Sequence, residues 1–408
     1  MSAPGKVRTA IHPPAGPDLP EAPPLAGVPA PAALYLHFPF CVHRCHYCDF
    51  SVRRTRRPPV DAWLDAVSAE LESWFARAAW SPPVPLDTIF VGGGTPSLLG
   101  ADGMRGLRAR LAPWFGIGNG VEWTAEANPA SFTPELAAAW RETGVNRVSL
   151  GVQSFDEGAL GWLGRLHDAA GAVRAVRAAR AGGIEDVNAD LIFGLPEDVP
   201  RDLEDEVARA VGEGVTHVSA YGLTIEPRTP LAKWVRSGRI TPAPDTSYSD
   251  EYGRLAGRLR AAGFEHYEVS NFARPGHECR HNWYYWNRAP YLGLGPSAHG
   301  FLPPFRLWNA FRWDRYRAVV SRAAGALDGW ERLSAADEDL ERVWLGLRTR
   351  KGLPDADWAR ATEGLRGPRR WEEAGWLEHR GDRVVATVEG WLRMDAMVTE
   401  IVREENRD

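Results

Sequence analysis

The chain has 408 residues, and its 53 acidic against 48 basic side chains leave a formal net charge of −5. That sign argues against a general nucleic-acid binder, and no run of about 18 apolar residues is present to span a membrane as a helix. Three of the four cysteines fall at Cys41, Cys45 and Cys48, which fits metal binding in a reducing cytoplasm and not a disulfide framework.

Residues 1–31 are rich in Pro, Ala and Gly with no apolar periodicity, so a disordered arm is expected there. A short buried strand over 33–38 then delivers the cysteine loop. Further strands are predicted at 88–93, 122–128, 147–153, 186–192 and 217–221, with helices between them at 60–78, 103–114, 134–142, 169–181 and 201–212. This alternation predicts an α/β fold, a partial (β/α)6 TIM-like barrel over residues 32–240, with its site at the C-terminal strand ends. A helix near 248–262 and a strand over 264–269 open an extension, 241–334, which carries the dense segment His277 to Trp286. Residues 335–408 read as a small separate α+β domain. It has helices at 336–348, 356–361 and 369–374, a β-hairpin around Gly381-Asp382 and an amphipathic helix over 390–403, a winged-helix-like pattern without a basic reading helix.

The polar residues follow the barrel geometry. Gly92-Gly93-Gly94-Thr95-Pro96 ends the second strand, Glu126-Ala127-Asn128-Pro129 the third and Gln153 the fourth. Asp190 lies late in the fifth, and Tyr221-Gly222 ends the sixth. The spacing C-x3-C-x2-C supplies three thiolates from one tight loop. A structural zinc site wants four ligands, and Cys279 alone gives no second pair. Three ligands suit a four-iron cluster with one iron open.

On these motifs the chain resembles the radical S-adenosylmethionine (SAM) superfamily. Within it, Tyr35-x-His37-x-Pro39-Phe40-Cys41, Gly151-Val152-Gln153-Ser154-Phe155 and Asp190-Leu191-Ile192-Phe193-Gly194-Leu195-Pro196 resemble the coproporphyrinogen oxidase-related branch. The resemblance implies a [4Fe-4S] cluster on Cys41, Cys45 and Cys48 and a SAM pocket. In that pocket Tyr47 lies near the adenine, Gly94, Thr95 and Pro96 contact the methionine moiety, Tyr35 lies beside it, and Glu126, Gln153, Arg165, Asp190 and Gly222 complete the walls. His43 and His46 are read as solvated or supporting residues.

Two subfamilies fit that branch: the haem chaperones of the HemW family and the oxygen-independent coproporphyrinogen III oxidases. The oxidases carry a fourth cysteine two residues after the third, where this chain has Phe50. They also carry an ordered N-terminal extension, whereas the arm here is unpatterned. His281-Asn282-Trp283-Tyr284-Tyr285-Trp286 matches the H-N-x-x-Y-W signature of the haem chaperones. The resemblance therefore implies a chaperone that takes haem as cargo and hands it to respiratory haemoproteins, with radical decarboxylation as the alternative. His281 is the expected haem contact, ahead of Cys279; a hydrogen-bonded core histidine is the other reading of that residue. The same resemblance leaves room for a homodimer and for peripheral membrane association.

Overall fold

The computed structural model describes residues 23–320, 325–365 and 367–405. A 12-stranded sheet dominates it. In chain order its strands are β1 (Ala33–Phe38), β2 (Thr88–Gly93), β3 (Glu122–Ala127), β4 (Arg147–Gln153), β5 (Asp186–Phe193), β6 (His217–Gly222), β7 (Glu265–Glu268), β8 (Asn271–Ala273), β9 (Tyr291–Leu294), β10 (His299–Leu302), β11 (Phe305–Asn309) and β12 (Leu327–Arg332). In space they run β7-β8-β6-β5-β4-β3-β2-β1-β9-β10-β11-β12. Pairing is parallel from β6 through β1 to β9 and antiparallel on both flanks.

Helices α1 (Val60–Ala78), α2 (Gly100–Leu111), α3 (Pro134–Thr143), α4 (Glu157–Trp162), α5 (Ala169–Ala181) and α6 (Leu203–Gly212) connect successive parallel strands. Side-chain caps start several of them: Thr133 accepts from Leu136 N, Asp168 from Gly171 N and Asp202 from Glu204 N and Asp205 N. Gly144, at φ 114°, ends α3 in the left-handed conformation that glycine adopts freely. Beyond β6 come α7 (Pro230–Arg236), α8 (Asp245–Ala261), α9 (Arg280–Trp286) and α10 (Trp313–Val319).

The period of two along the strands decides what the barrel encloses. On β3 to β6 the outward residues are Trp123, Ala125, Val148, Leu150, Val187, Ala189, Val218 and Ala220, all buried. The alternate residues are Thr124, Glu126, Arg147, Ser149, Asn188, Asp190, His217 and Ser219, and they line the lumen. Barrels of this type ordinarily pack their interior with branched apolar side chains; here the lumen is polar and open, and the apolar core lies outside it. Trp63, Trp74, Trp123 and Trp140 are among the largest fully buried side chains of that outer layer.

One buried carboxylate ties the outer layer to the flank. Glu70 on α1 accepts from Gly295 N at 2.8 Å, Asn309 Nδ2 at 2.6 Å, Tyr316 OH at 2.6 Å and Trp74 Nε1 at 3.3 Å. Burial pushes its pKa up to about 7, with the four donors opposing the rise.

The C-terminal segment has its own apolar cluster, which includes Leu347, Trp358, Trp371 and Met397. It comprises α11 (Ala335–Leu347), β13 (Leu353–Pro354), α12 (Asp355–Ala361), α13 (Gly367–Glu373), β14 (Leu377–Arg380), β15 (Arg383–Ala386), α14 (Val388–Leu392) and α15 (Met394–Glu405), with sheet order β13-β15-β14. The single helix expected over 390–403 is two, divided at Arg393. The arm expected over 1–31 falls largely on residues 1–22, outside the described residues. Its last part packs: Leu25 is buried in the main core, and Val28 O accepts from Trp80 Nε1 at 2.9 Å. Among the described residues no helix is long and apolar enough to cross a membrane.

Candidate functional site

The C-terminal ends of β1 to β6 open on one cavity of about 950 Å³. The loop after β1 puts Cys41, Cys45 and Cys48 on its wall as half-buried free thiols. Backbone bonds fix that loop against the end of β2: Gly94 N donates to Phe38 O at 2.8 Å and Thr95 N to Phe40 O at 2.9 Å. A Cβ at Gly94 would lie 2.6 Å from Phe40 O, and one at Gly93, whose φ is 107°, would lie 2.6 Å from the His37 ring. These glycines are therefore required by close approach.

Two side chains reach the sulfurs. Thr95 Oγ1 donates to Cys41 Sγ at 3.3 Å, and Arg165 Nη1 donates to Cys45 Sγ at 3.6 Å. Arg165 also holds Gly151 O at 2.7 Å, and its buried Nε has no protein partner. Burial pushes the Cys41 thiol up to about 11, opposed by the Thr95 hydrogen bond. A thiol of that kind ionises when positive charge or a metal is beside it. Among the described residues no group of three His, Cys, Asp or Glu side chains is placed to hold a metal ion. Three thiols facing one cavity, with donors aimed at two of the sulfurs, fit a thiolate-held iron–sulfur cluster as a donor set.

The same cavity is lined by two half-buried carboxyls, Glu126 and Asp190. Glu126 Oε2 accepts from Gly93 N at 3.0 Å, and a Cβ at Gly92 would lie 2.8 Å from Glu126 Oε1. Burial, and then the nearby Asp190, push Glu126 up to about 8, with the Gly93 bond opposing. Asp190 accepts from Asn188 Nδ2 at 2.8 Å and from Ser149 Oγ at 3.2 Å. Burial lifts it to about 6 against those bonds. In the empty lumen burial favours the neutral form of both carboxyls, and a cation placed between them would favour the ionised form.

Of the residues singled out from sequence, Tyr47, Gly94, Thr95, Pro96, Glu126, Gln153, Arg165, Asp190 and Gly222 line this cavity with the three cysteines. Gln153 takes a positive φ of 69° at the end of β4. Tyr47 packs partly buried on the small cluster of Ala159, Leu163, Ile192 and Leu195. Gly222 has Tyr248 of α8 against its other side, leaving no space for a Cβ. Tyr35 is not among the wall residues, although it is the register partner of Phe90, which is, and its ring lies 6.2 Å from that of Phe90; its hydroxyl is hydrogen-bonded to His37 Nδ1 at 3.1 Å. His281 is also off the wall and fully buried. Its Nδ1 is hydrogen-bonded to Thr88 Oγ1 at 2.8 Å and its Nε2 to Tyr285 OH at 2.8 Å, so both ring nitrogens are engaged. Burial lowers its pKa to about 3. Cys279, buried beside it, does reach the lumen, with Sγ 3.6 Å from Glu122 Oε1.

Sequence reasoning missed the lower lumen, formed by Thr124, Arg147, Ser149, Asn188, His217 and Ser219. The signal was present: Arg-Val-Ser-Leu from 147, Asp-Val-Asn-Ala-Asp from 186 and His-Val-Ser-Ala from 217 alternate polar with apolar inside strands that a packed barrel would make apolar throughout. At the rim, sequence reasoning named Phe50 and Tyr221 but not Leu166, and it did not foresee that they are exposed. Phe50, Leu166 and Tyr221 are the exposed large hydrophobic residues among those described, at 63%, 58% and 46% exposure, and all three lie on the cavity mouth.

A parallel barrel with three cysteines after its first strand and a polar lumen defines a radical SAM protein, and the profile of the Radical SAM superfamily matches residues 35–210. The haem chaperone HemW of Mycobacterium tuberculosis is 41% identical over 390 residues, 94% of this chain and 98% of that protein. The haem chaperone HemW of Bacillus subtilis is 32% identical over 81% of this chain and 88% of its own length. The chain belongs to the HemW family. Among solved structures, coproporphyrinogen III oxidase from Escherichia coli, described as a radical SAM enzyme, shares the fold with a TM-score of 0.76 at 20% identity, over 91% of this chain and 90% of that one.

Proposed function

We propose that this protein is a haem chaperone, binding haem and transferring it to haemoproteins, and that its barrel carries a [4Fe-4S] cluster with SAM. The observation that carries the reading is the near full-length likeness to a protein named haem chaperone, 41% identical over 94% of the chain. In this reading Cys41, Cys45 and Cys48 hold the cluster, which supplies single electrons when bound. Tyr47, Gly94, Thr95, Pro96, Glu126, Gln153, Arg165, Asp190 and Gly222 hold SAM. The Glu126–Asp190 pair receives the positive charge of the sulfonium and ammonium groups, and Arg165 balances charge at the cysteine side. Tyr35, beside Phe90, orients His37 through its hydroxyl.

Haem docks against the 277–286 segment. His281 offers its imidazole to iron once Tyr285 or Thr88 gives up its hydrogen bond. Respiratory haemoproteins as acceptors, a cytoplasmic setting, a homodimer and contact with a membrane surface belong to the same reading. So does the division into barrel (32–240), extension (241–334) and C-terminal unit (335–408).

The test is haemin titration of the reconstituted protein, followed by incubation of the loaded form with an apo-cytochrome. A Soret band that moves to the acceptor supports the reading; no haemin binding at stoichiometric concentration overturns it. A parallel anaerobic assay with coproporphyrinogen III and SAM addresses the alternative, since robust protoporphyrinogen formation would assign the chain to the oxidases. For His281, an unchanged Soret band and affinity in His281→Ala would remove it as an iron ligand.

A further inference from the structure

The floor of the lumen holds two polar groups that the roles above do not use. Arg147 on β4 is 2% exposed and Thr124 on β3 is 1% exposed. They are register partners on adjacent parallel strands, so their side chains emerge on the same face. Both line the cavity. Arg147 Nη1 donates to His277 O at 3.0 Å, but Arg147 Nη2 has no partner, and neither has Thr124 Oγ1. A buried guanidinium N–H left unpaired is costly, and here two unpaired groups face the same enclosed space.

The surrounding groups show what completes them. The nearby acids Glu122 and Asp186 favour the charge of Arg147 through space but give it no hydrogen bond, being bonded to other donors. Glu122 accepts from Arg280 N at 3.0 Å and His281 N at 2.9 Å, and Asp186 is paired with His277 Nδ1 at 2.5 Å. Glu126 stands two residues higher on β3, and Asp190 stands on β5, four residues beyond Asp186, the register partner of Arg147. Each residue along a strand adds about 3.3 Å of rise, so the Glu126 backbone lies roughly 7 Å, and that of Asp190 roughly 13 Å, above the Thr124 and Arg147 level. The lumen therefore has two levels of opposite character: an upper one with a carboxyl pair, suited to a cation, and a lower one with a guanidinium and a hydroxyl, suited to an anion.

We infer that the lower level is a carboxylate subsite, in which a ligand carboxylate accepts from Arg147 Nη2 and Thr124 Oγ1. A planar carboxylate matches the guanidinium edge. The subsite lies beneath the proposed SAM level, so it takes a second ligand. That ligand is either a small free carboxylate or the carboxylate arm of a tetrapyrrole. The tetrapyrrole source rests on the haem reading; the small carboxylate does not.

The experiment uses the cluster-reconstituted full chain, Arg147→Met and Thr124→Val, the second being an isosteric change that keeps the barrel filled. The probes are propionate, propionamide, haemin and haemin dimethyl ester. Propionate should bind the wild type and propionamide should not, and both variants should weaken propionate about tenfold or more, as for loss of a charge-assisted hydrogen bond. A wild-type preference for haemin over its ester that collapses in the variants identifies the tetrapyrrole arm as the source. Equal binding of haemin and ester, with propionate binding still lost in the variants, identifies a small carboxylate. The subsite is overturned if Thr124→Val and a folded Arg147→Met bind propionate as the wild type does, or if propionate and propionamide bind alike. Failure of haemin and ester alike to bind the wild type counts against the haem reading and leaves the propionate result to decide the subsite.

Discussion

The Thr95 hydroxyl donates to the Cys41 sulfur at 3.3 Å, joining the end of the second barrel strand to the loop that leaves the first. Hydrogen bonds to cluster sulfurs raise the reduction potential. Thr95→Val keeps the shape and removes the donor, so the reconstituted cluster should become harder to reduce. Potentiometric titration followed by EPR reads this directly; an unshifted potential would show that the contact is lost once the cluster forms.

Glu126 and Asp190 make a pH signature. Both carboxyls have raised folded-state values, about 8 and about 6, so between the unfolded values near 4 and these figures the folded form holds more protons than the unfolded one. Stability without ligand should therefore be greatest on the acid side of that window and fall as pH rises through 6 and 8. SAM affinity should run the other way, rising as the carboxyls ionise. Glu126→Gln should flatten the upper part of both curves, measured by thermal melts and by SAM titration from pH 5.5 to 9.

His281 sits fully buried between Thr88 and Tyr285, with both ring nitrogens bonded. His281→Ala leaves a cavity and two hydroxyls without their partner, at a cost of roughly 2–4 kcal/mol. Chemical denaturation should show that loss whether or not haem binding changes. A variant of unaltered stability would mean that the imidazole is not held as described.

Glu70→Ala strips a carboxylate from four donors that bring α1, the end of β9 and α10 together. About 3 kcal/mol or more should be lost, with hydrogen exchange accelerating at Gly295 and along β9. Glu70→Gln should recover part of it, because the amide oxygen still accepts while its NH2 group meets donors.

Much of the barrel was legible because each strand is a short apolar-rich run between turn residues, and Ala33–Phe38, Thr88–Gly93 and Arg147–Gln153 fall where periodicity puts them. The rim was legible because Gly93, Gly94 and the cysteines are chemically distinctive. What escaped depends on contacts distant in sequence. The parallel pairing of Tyr291–Leu294 with Ala33–Leu36 joins segments more than 250 residues apart, and no local pattern encodes that. The hairpin of β10 and β11 and the 7-residue helix α9 are short elements fixed by packing. The engagement of His281 could not be read from its own segment either, since Thr88 lies 193 positions away.

The placement of apolar bulk outside the barrel has a consequence for how this scaffold can change. Its rigidity comes from the tryptophan-rich shell between strands and helices, so the inner wall is free of the packing duty that interior residues usually carry. A vessel whose strength lies in its casing can be relined. Substitution at Thr124, whose hydroxyl has no partner, should alter what the barrel accepts while leaving its melting temperature nearly where it was, which makes this part of the inner wall the natural place to redirect the chain toward a different guest.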